Sequence, residues 1–386
     1  MTEPASPLSD ELFERIRSRA AGYDRDNAFF TEDFEELNDA GYLRMLVPRE
    51  FGGLGYTLQE AAREQVRLAS AAPATALAVN MHLVWTGVAK ALADRGDRSA
   101  QFVLREAGAG EVFAFAISEA GNDVVLFGST TDARPEPEGG YRFYGTKIFT
   151  ALSPAWTRLG TMGLDSTSPD APKIVYGFIS RDGGGFDIAE DWDTMGMRAS
   201  QSNSTHLAGA LAPADRVVRR LDPGPNADPL IFAIFANFEI LLAAVYTGIG
   251  QRAIELGVAA ANRRTSLKNG GKTYAQDPDI RWRLASAAIA QDGMLPQIDA
   301  LARDVDQLAN HGAQWFPKLS GLKVRATENA RFVVDCAVRV SGGSTYFSGS
   351  ELGRLYRDVL AGLFHPSDDE SAHSTVANAL LGPIDD

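Results

Sequence analysis

The sequence predicts a mostly α-helical protein with a small β-domain in its middle. Helical periodicity dominates before residue 112 and after residue 229, whereas short strand-forming runs separated by Gly, Pro and Asp turns fill the segment between them. The breaker Leu-Asp-Pro-Gly-Pro-Asn at 221–226 marks the end of that segment. We therefore expect a helical domain over 1–111, a β-domain over 112–221 and a helical bundle over 222–386.

The composition is that of an ordinary soluble globular chain. The 386 residues are 45% hydrophobic and 23% charged, and the formal net charge is −13. An acidic chain without a basic stripe is poorly suited to nucleic acid or to an anionic membrane surface, so neither is an expected partner. The N-terminus lacks the apolar core of a signal peptide, and the single Cys336 has no partner for a disulfide or a metal site. We expect a cytoplasmic protein without a bound metal.

The N-terminal domain shows clear helix signals. Ser9 is placed to cap a first helix, and Gly41 is placed to end a second. The glycine-rich segment 51–55 lacks the lysine and the strand–turn–helix setting of a phosphate loop, so a tight bend is expected there. His82 lies on a nearly all-apolar helix, which favours a buried core histidine over a catalytic base. The helices are predicted over residues 9–22, 31–40, 58–71 and 74–94.

The remaining chain reads as a hairpin-containing β-segment followed by long helices. Gly139-Gly140 joins two extended runs, as in a β-hairpin. The stretch 229–250 is long and apolar enough to span a membrane, but Asn237 and Glu239 interrupt its centre, so a buried helix is expected. The C-terminal helices are predicted over residues 229–264, 277–310, 315–341, 350–364 and 368–382.

Several short sequence blocks occur in a characteristic order. Together they resemble the acyl-CoA dehydrogenase family of flavoproteins over nearly the whole chain, although each block alone is a weak signal. The resemblance implies an N-terminal helical domain, a middle β-barrel or β-sandwich and a C-terminal four-helix bundle. The blocks are the Pro- and Gly-containing segment 43–55, Ser118-Glu119 with Gly121 and Asp123, Gly145-x-Lys147, Gly196-x-Arg198-x-Ser200, Arg263-Arg264-Thr265, Gly342-Gly343, and Arg354 with Arg357-Asp358.

The resemblance implies a bound FAD between the β-domain and the bundle. A first set of residues, around Ser118, would line the isoalloxazine ring, and Ser118 would hydrogen-bond to the ring. Phe149 and Thr150 would pack near the reactive nitrogen of the ring. A second group would hold the pyrophosphate and adenosine of a neighbouring subunit's FAD, which implies a homodimer or homotetramer. Arginine forks and free backbone amides suit such a dianion, although without the resemblance a solvated helix end is the favoured interpretation of Arg263. The expected FAD-binding residues are Phe115, Ile117, Ser118, Phe149, Thr150, Arg263, Thr265, Gly342 and Gly343.

The reaction implied by the resemblance is α,β-dehydrogenation of an acyl-CoA or carrier-bound acyl thioester, an oxidation of a CH–CH donor. A carboxylate would remove the α proton while the β hydride passes to the flavin, which an electron-transfer flavoprotein or oxygen reoxidises. The expected substrate contacts are Asn122, Arg198 and Glu239.

The sequence departs from the family at the catalytic carboxylate. The usual Glu-Gly-Thr segment is absent, and an ungapped count from Arg357-Asp358 places Pro366 at the glutamate. Asp368 and Glu370 are nearby candidate bases, but a helix N-cap with an acidic first turn is the preferred interpretation.

Glu239 is the third candidate base. It lies in an apolar run, one residue past the position from which some family members take their base. A structural ion pair with Arg198 or Arg252 explains a buried carboxylate there equally well, because burying it unpaired is costly.

Two other functions remain open. Loss of the glutamate favours a flavin-dependent monooxygenase or oxidase on the same fold, acting on an amine, aromatic or sulfur compound with help from His82 or His365. A flavin-binding partner subunit without activity of its own is the third possibility. The dehydrogenase is favoured for its match over all three domains, a step that rests on analogy.

Overall fold

Five helices open the chain in the computed structural model, which describes residues 6–384. Ser9 caps the first helix by accepting a hydrogen bond from the Leu12 amide at 3.2 Å, as predicted. Gly41 follows the end of the second helix with φ +82°, also as predicted. The last helix, eight residues long, was not predicted because it is too short to show periodicity. These helices are α1 (Asp10–Asp26), α2 (Thr31–Asp39), α3 (Leu58–Ala71), α4 (Pro73–Ala93) and α5 (Gln101–Gly108).

Eight strands follow, all in one sheet. Their order is β6-β7-β3-β2-β4-β5-β8, with β1 parallel to β4, and β2 pairs with β3 as the predicted hairpin. The sheet has its own small core around Phe143, Trp156 and Leu159. The strands are β1 (Phe113–Ala116), β2 (Asp132–Pro135), β3 (Tyr141–Lys147), β4 (Arg158–Asp165), β5 (Lys173–Ser180), β6 (Phe186–Ile188), β7 (Thr205–Ala212) and β8 (Val217–Leu221).

Six α-helices follow in the part of the chain described up to residue 384, and they confirm the predicted order of helices, β-domain and helices. The prediction of one helix over 277–310 was wrong. Gly293 ends one helix there, and Pro296, which has no backbone N–H, lies in the first turn of the next. The helices are α6 (Pro229–Arg263), α7 (Pro278–Asp292), α8 (Met294–Asp306), α9 (Trp315–Ser341), α10 (Glu351–Val359) and α11 (Asp369–Leu381).

Helix α6 is the central element of the fold. It packs against α3 and α4 on one side and α9 on the other, so the N-terminal helices and the C-terminal helices share one hydrophobic core. Both α4 and α6 are long and apolar enough to cross a membrane, but 89% of the most apolar window of each is buried inside the protein. The predicted buried helix over 229–250 is thus part of this core, while the domain boundaries stay a prediction.

Candidate functional site

The ends of β1 and β3 lie side by side. The Ile148 amide donates to the Ser118 carbonyl at 3.0 Å. Directly beside this bond, the Lys147 ammonium donates to Glu119 at 2.6 Å, and both side chains are fully buried. The two segments that carry the residues expected at the isoalloxazine ring are therefore fixed relative to each other.

Glu119 is an anchor for the loop that follows β1. Its carboxylate also accepts hydrogen bonds from the Ser129 hydroxyl at 2.6 Å and the Thr130 amide at 2.7 Å. Burial raises the pKa of Glu119, but Lys147 and these donors outweigh it and lower the pKa to about 2. Asn122, an expected substrate contact, donates to Glu119 and to the Gly128 carbonyl, both at 2.9 Å, so it holds this loop together. Its role toward substrate stays a prediction.

The predicted ring-binding residues have the chemistry to hold a flavin. The Thr150 hydroxyl is buried without a hydrogen-bond partner, and the half-buried Ser118 side chain has none within residues 6–384. Phe149 is 54% exposed, has φ +58° and meets Trp192 edge to face at 6.1 Å. Unpaired buried hydroxyls are costly unless a further group bonds them, and an exposed aromatic beside them suits a flat polar ring. The residues present therefore fit an isoalloxazine ring.

An aromatic contact leads from this region into the bundle. Phe115 and Ile117 are buried, and the Phe115 ring stacks on Phe238 of α6 with the centroids 5.4 Å apart. Glu239 is the next residue of α6, so the candidate base and the expected flavin-lining segment approach the same stretch of that helix.

The two sequence blocks that carry the residues expected at the diphosphate contact each other through Arg264, at the ends of α6 and α9. The Arg264 guanidinium donates to the Val340 carbonyl at 2.9 Å and lies against Gly342, whose φ is +72°. Arg263 and Gly343 are exposed, as is Thr265, which forms a bridge with Thr273. The structure thus brings the two sequence blocks together, and their role toward a nucleotide stays a prediction.

Arg198 lies at a junction between the β-domain and the helices. Its guanidinium donates to the Asp24 carbonyl at 2.8 Å and to the Thr194 carbonyl at 2.7 Å. Next to it, the Met197 amide donates to Asp358 at 2.6 Å. The Gly-x-Arg-x-Ser and Arg-Asp blocks therefore contact each other structurally. The substrate contact predicted for Arg198 stays a prediction.

The loop between α10 and α11 holds no carboxylate that is arranged as a buried base. Asp368 accepts a hydrogen bond from the Ser371 amide at 2.9 Å and caps α11, which confirms the preferred interpretation of that residue. Glu370 lies in the exposed first turn of the same helix. Pro366 occupies the counted position of the family's glutamate, directly after His365.

Glu239 is buried at 1% exposure, and its Oε2 atom has no hydrogen-bond partner among residues 6–384. Burial raises the pKa of Glu239 to about 8, against the opposing effects of the Ser367 hydroxyl and the Lys323 ammonium. The predicted ion pair with Arg198 or Arg252 was wrong, since Arg252 binds Glu351 at 2.8 Å. The charged neighbour is Lys323 on α9.

Lys323 is the residue that the sequence prediction missed. It is 1% exposed and donates to the carbonyls of Gly362, His365 and Ser367 at 2.9, 3.0 and 2.9 Å. A signal was present, because Lys323 lies between Leu322 and Ala326 on the buried face of the predicted helix. A lysine on such a face requires a partner.

The two candidate histidines, His82 and His365, differ in how many of their ring nitrogens have a hydrogen-bond partner. His82 is fully engaged, with Nε2 2.8 Å from the Leu43 carbonyl and Nδ1 accepting from the Phe113 amide at 3.0 Å, which confirms a buried core histidine. His365 Nδ1 lies 3.4 Å from the Tyr246 hydroxyl, and its Nε2 has no partner in the described part of the chain. Burial and then Lys323 lower the pKa of His365 to about 3, so the imidazole is neutral.

Known proteins of one family resemble this chain over most of its length. The family models described as acyl-CoA dehydrogenase N-terminal domain and C-terminal domain match residues 9–100 and 231–381. An L-evernosamine nitrososynthase of a Micromonospora species is 28% identical over 92% of this chain and 84% of that protein. The putative acyl-CoA dehydrogenase YdbM of Bacillus subtilis is 26% identical over 96% and 94%. The structure of KijD3 with FMN and dTDP-3-amino-2,3,6-trideoxy-4-keto-3-methyl-D-glucose is 27% identical, with a TM-score of 0.83 over 100% of this chain and 96% of that chain.

Proposed function

We propose that this chain, which belongs to the acyl-CoA dehydrogenase family of flavin-dependent oxidoreductases, is a monooxygenase. It would oxidise the nitrogen of an amine with reduced flavin and oxygen. The observation that carries the proposal is the loop after α10. Where the family resemblance places a catalytic glutamate, the loop has Pro366 next to a neutral imidazole, while Asp368 caps a helix and Glu370 is exposed. Oxygen transfer to a heteroatom does not need the α-proton base that this loop lacks.

Two relatives support an amine as the substrate class. One is named as a nitrososynthase of the amino sugar evernosamine, and KijD3 was solved with an amino-sugar nucleotide. KijD3 also holds FMN, and we propose FMN as the flavin of this chain in place of the FAD expected from the sequence. Denaturing the purified protein and identifying the released flavin by mass spectrometry distinguishes the two.

The overall reaction balances with a separate hydride donor. One oxygen atom of O2 enters the amine as an N–O bond, and the other leaves as water with two electrons and two protons. A nicotinamide-dependent flavin reductase is the class of donor that supplies the electrons, and the flavin supplies the chemistry that activates oxygen. In the protein, Ser118 and Thr150 would bond and orient the ring, and Phe149 with Trp192 would exclude water beside it.

His365 is the proposed hydrogen-bond donor to the reacting centre. Burial raises the pKa of Tyr246 well above its usual value, so the phenol keeps its proton, and His365 Nδ1 is its hydrogen-bond partner. We assign the O–H as donor to Nδ1, which places the imidazole proton on Nε2. That N–H would donate a hydrogen bond to the oxygen atom at the reacting centre.

The test uses purified protein with a flavin reductase, NADH and a panel of amines that includes amino-sugar nucleotides. We expect amine-dependent oxygen uptake and a product heavier by one oxygen atom. His365→Gln should lower the yield of this product, whereas His373→Gln, on the exposed face of α11, should not. Oxygen uptake without any oxygenated product from the whole panel would contradict the proposal.

Dehydrogenation of an acyl thioester is the second candidate, and Glu239 favours it. Its buried carboxylate with a free Oε2 and a raised pKa has the properties of a general base. In this case acyl-CoA thioesters should bleach the oxidised flavin without oxygen, and Glu239→Gln should abolish bleaching while Glu370→Gln leaves it intact. An electron-transfer flavoprotein would then be the acceptor in place of oxygen.

The third candidate is a flavin-binding partner subunit without activity of its own. A protein that binds flavin but turns over neither amines nor thioesters would favour this non-catalytic subunit.

We propose a homodimer or homotetramer, supported by exposed apolar side chains on α7 and α9, and light scattering of the flavin-loaded protein measures it. These side chains are Trp282, Ile289 and Phe332.

A further inference from the structure

We infer that Lys323 is a positioning residue, whose buried ammonium fixes the turn 360–367 and thereby holds the His365 imidazole against Tyr246. The inference rests on the proposed function only in taking His365 as the group that acts on the substrate. The positioning itself is a property of the folded chain and is measurable without substrate.

The ammonium is fully used by the turn. An ammonium has three N–H donors, and Lys323 directs them to three carbonyls within six residues, those of Gly362, His365 and Ser367. Carbonyl oxygens that converge on one point repel each other unless a cation lies between them. The turn therefore depends on α9 for its conformation, through this ammonium and through the Ser320 hydroxyl, which lies 3.3 Å from the Ser367 hydroxyl.

The three carbonyl oxygens around Lys323, here called the carbonyl cage, also favour the protonated form of its side chain. Burial lowers the pKa of Lys323, whereas Glu239 and Asp368 oppose the change. A neutral amine has only two N–H donors and would leave one of the three buried carbonyls without a partner, so the cage favours the ammonium. Because all three donors are taken, Glu239 acts on Lys323 as a nearby carboxyl group without a hydrogen bond, consistent with its unpartnered Oε2.

Groups on three helices face the turn that carries His365 and its Lys323 anchor. Tyr246 and Glu239 belong to α6, Lys323 belongs to α9, and Asp368 caps α11. The backbone carbonyl of His365 is bound by Lys323, and its ring is bound by Tyr246 on the opposite helix. Main chain and side chain are thus held from two sides, which leaves Nε2 pointing from a fixed ring.

Lys323→Met tests the inference, because methionine has a similar length and no donor. Lys318→Met is the matched control, since Lys318 is exposed on the same helix. The readout is the NMR spectrum of protein labelled with ¹⁵N-histidine, which contains only five histidines, with His365→Gln to assign the signal. We expect the His365 signal to shift in Lys323→Met and its pKa to rise toward the ordinary value of about 6.5, with the other four signals unchanged.

An unchanged His365 signal and pKa in folded Lys323→Met would overturn the inference. If that variant does not fold, Lys323→Arg replaces it. Arginine keeps the charge, but its planar fork does not place donors on three carbonyls around one point, so a smaller shift of the same signal is expected. An unchanged signal in Lys323→Arg would overturn the inference as well.

Activity provides an independent readout. Lys323→Met should reduce the product formed per oxygen consumed on the order of tenfold, with little change in KM, because the substrate still binds while the Nε2–H hydrogen-bond donor of His365 is misplaced. Lys323→Arg should recover part of the loss. If the wild-type protein oxygenates no amine, the proposed function fails, and the NMR comparison still decides the positioning role of Lys323.

Discussion

At the scale of one residue, Thr150 carries an unpaired polar group within the predicted flavin site. Its hydroxyl is buried beside Phe149 without a hydrogen-bond partner, although buried hydroxyls are normally paired. The protein therefore carries a destabilising feature, which the proposed flavin would relieve by bonding this hydroxyl.

Replacing Thr150 by valine should separate stability from flavin binding. Valine has nearly the same shape and removes the unpaired hydroxyl, so the flavin-free protein should gain about 1 kcal/mol in free energy of unfolding, while flavin stabilises it less. Thermal melts with and without flavin measure both effects. Thr161→Val is the control, because the Thr161 hydroxyl donates to the Ala116 carbonyl at 2.9 Å and its loss should destabilise both forms equally. Equal flavin stabilisation of Thr150→Val and the wild type would remove Thr150 from the site.

His82 contributes stability that depends on pH. Burial lowers the pKa of His82 to about 4, below the ordinary value of about 6.5 that applies in the unfolded chain. Its contribution is thus fully present above about pH 6.5 and is lost as the pH falls toward about 4, by roughly 3 kcal/mol at most. The free-energy difference between the wild type and His82→Gln, from urea unfolding, should shrink over that range. A difference that stays constant from about pH 7 to about pH 4 would contradict a neutral, buried His82.

At the scale of elements, the ion pair between Glu119 and Lys147 joins the loop after β1 to the end of β3. Both side chains are fully buried, so removing one partner leaves an unpaired buried charge. Glu119→Gln should lower the free energy of unfolding by about 3 to 5 kcal/mol and weaken flavin binding, since Ser118 and Thr150 lie on the two joined segments. Chemical unfolding and flavin titration measure these effects.

An exposed ion pair on the same sheet serves as the comparison. Asp132 pairs with Arg134 at 2.9 Å near the surface, and Asp132→Asn should change stability by less than about 1 kcal/mol. If Glu119→Gln behaves like Asp132→Asn, the buried pair does not hold the site together.

At the scale of the whole molecule, local sequence patterns predicted the helices and caps that depend on neighbouring residues. The first four helices followed from caps and periodicity, as Ser9 and Gly41 illustrate, and so did the cap at Asp368. The break at Gly293 was missed because helical periodicity continues on both sides of it. The shared core of α3, α4 and α6 joins distant parts of the chain, which no local pattern specifies.

The candidate site shows the same division. The segments near Ser118 and Thr150 were singled out through their sequence blocks, and the structure places them side by side, while their ring-binding role stays a prediction. The partner of Glu239 was not, because Lys323 is distant in sequence and an arginine was the expected counter-charge. The turn that Lys323 organises is specified by three carbonyls, which have no signature in the sequence.

One measurement tests the central claim most directly. The protein is loaded with reduced flavin without oxygen, mixed with an amine substrate and ¹⁸O2, and its product is weighed by mass spectrometry after one turnover. A monooxygenase incorporates one ¹⁸O atom into the amine and returns the flavin to its oxidised form. Failure of every amine to gain ¹⁸O, together with anaerobic bleaching of the oxidised flavin by an acyl-CoA thioester, would contradict the claim and establish the dehydrogenase.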